Sequence, residues 1–128
     1  MRSNHLIRLF TVVTIAALSA CSDEGPVSGP GTLTAILMSP NGPEGAAFVV
    51  LVGEGVGEVT AVGNTEVFAR ADGSTTQIVL INQAGGALSF QVAVTDTLVR
   101  PQSVVQEVAG PDDELRPSLA GYSLEFRR

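Results

Sequence analysis

From Thr32 to Arg127 the chain never runs more than about nine residues before a turn-forming cluster interrupts it. That rhythm limits the folds open to it more than any other feature. Thr32–Ser39 (TLTAILMS) stops at Pro40-Asn41-Gly42-Pro43, and Ala46–Val52 (AAFVVLV) stops at Gly53-Glu54-Gly55-Val56-Gly57. Gly and Pro clusters of this kind set backbone angles that helix interiors and strand interiors do not tolerate. The pieces between them are too short for core helices and rich in Val, Ile and Thr, which suits strands.

The remaining runs follow the same rule. Glu58–Val62 and Thr65–Arg70 are divided by Gly63-Asn64, and Ala71-Asp72-Gly73-Ser74 has the residues of a hairpin turn. Thr75–Asn82 (TTQIVLIN) ends before Gly85-Gly86. Ala87–Thr95 alternates, with Leu88, Phe90, Val92 and Val94 on one face and Ser89, Gln91, Ala93 and Thr95 on the other. Such alternation marks a half-buried antiparallel strand. AAFVVLV is apolar on both alternating sets, as in a strand buried on both sides or central in its sheet. Ser103–Ala109 and Leu119–Arg127 complete the set, the latter with Ala120, Tyr122, Leu124 and Phe126 on one face. About eight short strands at this spacing predict an all-β fold, an antiparallel Greek-key β-sandwich of immunoglobulin-like kind.

The N-terminus reads differently. Arg2 and Arg8 precede the uncharged run Leu9–Leu18 (LFTVVTIAAL), which is shorter than the ~20 residues that span a bilayer. A basic start, a short apolar stretch and small residues describe a helical secretory signal peptide. Leu18-Ser19-Ala20-Cys21 resembles the lipobox of bacterial lipoproteins. The resemblance implies cleavage before Cys21 and a diacylglyceryl group on its thiol. It also implies an exported protein held to a membrane by lipid. Ser22, rather than Asp, after the Cys is similar to outer-membrane sorting signals. The expected organisation is signal peptide 1–20, lipidated Cys21 with a Gly/Pro/Ser tether to residue 31, and sandwich 32–128. The part after Cys21 also resembles cohesin-like bacterial sandwich modules along GTLTAIL, AAFVVLV and GALSFQVAV. That likeness implies a sandwich and assigns no functional residue.

Cleavage there leaves 128 − 20 = 108 residues carrying five Arg and thirteen acids, a formal charge of −8. Such acidity disfavours nucleic acid and offers no basic patch to anionic lipid. His5, the only His, departs with the signal; Cys21, the only Cys, is committed to lipid; Lys and Trp are absent. Serine nucleophiles therefore lack a His or Lys base, zinc lacks His or Cys ligands, and Schiff-base chemistry lacks its amine. Gly53-x-Gly55-x-Gly57 lacks the spacing and the Lys of a phosphate loop and reads as a turn.

Carboxylates are what remain. Glu54 with Glu58, or Asp112, Asp113 and Glu114, supply pairs of the kind glycoside hydrolysis uses, without the aromatic-lined cleft it needs. Asp112-Asp113-Glu114, joined by Asp96 if the loops converge, is the candidate calcium site, against a plainly solvated acidic loop that Arg116 neutralises. Glycan stacking needs exposed aromatics, and the five of the mature chain (Phe48, Phe68, Phe90, Tyr122 and Phe126) fall in strands, most at inward positions. The expectation is a non-enzymatic envelope lipoprotein without a cofactor, structural or bound to a protein partner through an edge strand or loops. A calcium- or glycan-binding module is the alternative.

Overall fold

The structure, a computed structural model, describes residues 28–128. The signal segment 1–20, with lipobox residues Leu18, Ser19 and Ala20, lies outside the described residues, as do Cys21 and tether residues 22–27. Eight strands follow in order: β1 Gly31–Met38, β2 Glu44–Val52, β3 Val56–Ala61, β4 Glu66–Asp72, β5 Thr75–Gly86, β6 Ser89–Val94, β7 Gln102–Ala109 and β8 Ser123–Arg127. They form two four-stranded sheets, β3-β6-β1-β8 and β4-β5-β2-β7. Every pairing is antiparallel. The fold is thus the all-β antiparallel sandwich that the turn rhythm predicts.

The pairings nest. β1 pairs with β8, β2 with β7, β3 with β6 and β4 with β5, so the chain runs out through four strands and returns along them. Alternate pairs fall into opposite sheets, and the additional β1–β6 and β2–β5 ladders fix the roll. The β4-β5-β2 and β3-β6 neighbours are those of an immunoglobulin core. Here, however, β7 flanks β2 where an immunoglobulin domain puts its first strand, and β1 sits beside β6. At the tip of the roll, Gly73-Ser74 joins β4 to β5, with Gly73 at φ 65°. Gly at the first central position is the type II′ pattern, whose twist matches the strands it joins.

Alternation places the core. Leu33, Ala35 and Leu37 of β1, Phe90, Val92 and Val94 of β6 and Phe126 of β8 face Ala47, Val49 and Leu51 of β2 and Ile78 and Leu80 of β5. All are buried. In β7 the register slips at Gln106, because Phe48 pairs with Glu107 while Val49 pairs with Val105. This bulge lets Val105 and Val108 both reach the core from positions of opposite parity.

Three expectations need correction. Tyr122 is not a strand residue on the Phe126 face. Leu119–Tyr122 forms a turn closed by the Tyr122 amide on the Leu119 carbonyl, so β8 begins only at Ser123. Val56 and Gly57 belong to β3, so the glycine-rich run is a turn only in its first half. The aromatics are divided: Phe90 and Phe126 are buried, whereas Phe48 and Phe68 sit at outward positions, Phe68 59% exposed.

Phe90 and Phe68 therefore respond oppositely to truncation. Phe90→Ala removes a ring from the packed centre and costs about 3–5 kcal/mol. Phe68→Ala costs under about 1 kcal/mol. Urea denaturation of the two variants checks this, and equal losses would contradict the assigned faces.

Candidate functional site

The two ends of the sandwich hold different polar groups. At the end where β1 begins, Asp96 Oδ1 accepts from the Leu98 amide (2.9 Å) and the Gly29 amide (3.3 Å), while the Thr97 amide donates to the Gly29 carbonyl (2.9 Å). These bonds fix the point where the chain enters the sandwich. Beside them a cleft of about 450 Å³ is lined by Val52, Val56, Val94, Val99, Glu54 and Arg100, among others. Arg100 is held by its Nε donating to the Phe126 carbonyl (3.2 Å).

Asp112, Asp113 and Glu114 lie at the opposite end, where β7 finishes beside the start of β2. The convergence with Asp96 does not occur, because the full length of the strands separates them. The acidic loop is also closed on itself. The Gly110 amide donates to the Glu114 carbonyl, and the Asp113 amide to the Gly110 carbonyl. Asp112 Oδ1 takes the Glu114 amide, and Asp113 adopts φ 68°. Among the described residues, no three His, Cys, Asp or Glu side chains group closely enough to hold a metal ion. Glu54 and Glu58 stand apart as well, one in the β2–β3 turn and the other on β3.

The Arg116 charge acts on Asp112 of the acidic loop, as expected, but its hydrogen bonds go elsewhere. The side chain reaches Glu44, a carboxylate only 1% exposed at the first position of β2. Arg116 Nη2 lies 2.8 Å and Nε 2.9 Å from Glu44 Oε1. Oε2 accepts from Ser39 Oγ at 2.6 Å and from the Tyr122 hydroxyl, which in turn takes a bond from Asn41 Nδ2 at 2.8 Å. Gly45 makes this approach possible, since a Cβ there would stand 2.6 Å from the Gly110 carbonyl oxygen. Burial pushes the Glu44 carboxyl upward, but the bonds from Ser39, Tyr122 and Arg116 and the charge of Arg116 outweigh it. The group stays ionised below the ordinary carboxylate value. With no vacant coordination, this cluster is a clamp joining the β1–β2 and β7–β8 connections.

The third feature is the outer face of the β4-β5-β2-β7 sheet. Register aligns Phe68, Val79, Phe48 and Glu107 in one row across the four strands. Arg70, Gln77, Val50 and Val104 form the next. The equivalent row on the other sheet is Thr60, Gln91, Thr34 and Arg127, wholly polar. Phe68, Leu115, Val104, Val79 and Val52 are all exposed on or beside the apolar face. Two shallow hollows of about 330 and 300 Å³ share Phe48 and Val79 as their common wall. Antiparallel sheets ordinarily turn a polar outer face to water, so this one departs from the pattern. Its signal in the sequence is the outward set of AAFVVLV: Ala46, Phe48, Val50 and Val52. Glu44 carries no comparable signal, for its partners stand 5, 72 and 78 residues away.

No family model, curated protein or solved structure matches the chain. The apolar face, with the clamp that stabilises its upper end, is the candidate functional site.

The clamp predicts an acid-sensitive fold. Glu44 has a lowered value in the folded state, so its contribution is present above the unfolded carboxylate value. It is lost as pH falls through the folded one. Denaturation midpoints of the wild type should fall below about pH 4 more steeply than those of Glu44→Gln. At neutral pH, Ser39→Ala and Tyr122→Phe each remove one donor to this carboxylate and should cost about 1–3 kcal/mol. Parallel pH profiles for wild type and Glu44→Gln would refute the assignment.

Proposed function

We propose that the chain is a lipid-anchored, non-catalytic module of a bacterial cell envelope that binds a protein partner through the outer face of the β4-β5-β2-β7 sheet. The observation that carries the binding role is that face, where Phe68 (59% exposed), Val104 (48%) and Val79 (37%) stand in water on a rigid sheet. Contiguous apolar surface on a soluble domain marks an interaction site more often than it marks nothing. Aromatic side chains such as Phe48 and Phe68 are the groups that dominate interface energetics.

The anchor rests on Leu18-Ser19-Ala20-Cys21 and the basic, apolar segment before it. A lipidated Cys21 carries the sandwich on a tether that enters beside Asp96. The partner face lies along the flank of the domain, and its Val52 end adjoins the cleft beside that entry point. Two acyl chains hold a protein to a bilayer effectively permanently, whereas one does not. The non-catalytic role follows from the side chains after Cys21, which include no His, Cys or Lys. The most enclosed carboxylate is fully engaged in the clamp. Partner binding needs none of the missing groups.

The two halves of the proposal are tested separately. Cys21→Ser should leave the protein unlipidated, with a mass matching the uncleaved chain. Retention of the wild-type mass would sink the anchor. A photo-reactive residue at position 68 should cross-link one dominant envelope protein in cells, while the same residue at Gln91, on the polar sheet, should not. Identical products from the two positions would remove the binding role of this face.

A further inference from the structure

The shape and charge of the apolar face narrow the kind of partner, given the reading above that this face is the binding surface. The apolar groups reach from edge to edge of the sheet, with Phe68 on β4 and Val104 on β7 the most exposed and Val50 between them nearly covered. They also run along β2, an interior strand, as Ala46, Phe48, Val50 and Val52. Seven residues of strand make a stripe about 20 Å long. Val79, Ile81 and Phe68 widen it on one side, and Val104 and Leu115 on the other. Carboxylates stand along both flanks. Glu66 and Asp72 lie at the β4 edge, with Arg70 between them. Glu107 lies on β7, and Asp113 borders the hollow next to Ala46 and Ile81. Four acids thus face one guanidinium around an apolar centre.

From this arrangement we infer that the face receives a cationic amphipathic helix of the partner protein, of about 13 residues, seated along β2 with its Lys or Arg flanks over the two acidic rims. A 20 Å stripe matches a helix of that length at 1.5 Å per residue. A helix with an apolar face and basic flanks is complementary to the stripe and to both rims at once. An added strand is not: it pairs at β4 or β7 and leaves Phe48 and Val79, on the interior strands, uncovered. A second copy is not either, because it brings the same four carboxylates against these four. An anionic membrane meets the same repulsion.

The probe is a fourteen-residue peptide of Leu and Lys at helical spacing with one Trp, titrated into the full-length chain. The chain itself has no Trp, so the fluorescence reports the peptide alone. Binding is expected for this peptide and not for its Leu/Glu counterpart, and salt should weaken it. Phe68→Asp and Val104→Asp decide the mode. Each adds an acid, so simple attraction to an acidic protein would tighten, whereas docking on the apolar stripe should weaken about tenfold. Both positions are exposed, and unchanged melting temperatures confirm that the variants fold.

Absence of binding overturns the inference, and so does binding that both substitutions leave unchanged or strengthen. Self-association lost on Phe68→Asp, without peptide binding, gives the face to a second copy instead. Capture of anionic vesicles with the same sensitivity gives it to a membrane. A partner cross-linked from position 68 while the peptide fails to bind overturns only the helix and leaves the binding role standing.

Discussion

A carboxylate removed from water must recover its lost hydrogen bonds or pull the fold apart, and the upper end of this sandwich is built around that requirement. Glu44 sits where β2 begins, at the crossing from one sheet to the other. Ser39 comes from the preceding turn, while Arg116 and Tyr122 come from the long connection before β8. Leu119 and Tyr122 pack the second of these loops against the core. Bonds to one buried charge tie the two loops to each other, and with them the positions at which β2 and β8 enter their sheets. Removing a partner from such a group is more damaging than replacing the whole set with apolar residues.

Fixing β2 matters because that strand serves both faces of its sheet. Val49 and Leu51 point into the core, and Phe48 and Val50 point out. Since side chains alternate strictly, a one-residue slip would exchange the two sets and put Val50 where Leu51 packs. Both sets being apolar, hydrophobicity alone discriminates weakly between the two registers. The polar anchor at Glu44 and the bulge opposite Gly45 supply the discrimination that the pattern lacks.

Much of the fold was legible in the sequence, because turn chemistry and period-two alternation are local. Leu88, Phe90, Val92 and Val94 alternate in print as they do in the core, and Gly73 marks its hairpin. The site was less legible. Phe48 and Phe68 look like core residues until pairing shows which side of the sheet they occupy. That β7, rather than the first strand, flanks β2 is likewise a fact of long-range pairing. Arg116 follows a run of acids by two positions, and charge proximity along the chain suggests it serves them. Its charge does act on Asp112, but the carboxylate it hydrogen-bonds is 72 residues away. In the acidic loop, Asp112 takes the amide of Glu114 two residues on, and backbone bonds between Gly110, Asp113 and Glu114 close the rest.

The placement of β1 has a mechanical consequence. The strand nearest the chain entry lies between β6 and β8, paired with β6 over Gly31–Ile36 and with β8 over Thr34–Met38. A pull applied at Gly29 along the strand axis loads those transverse bonds together, in shear. At an edge the same pull could peel them one at a time. A domain pulled at its entry thus meets the load with a strand that has a neighbour on each side.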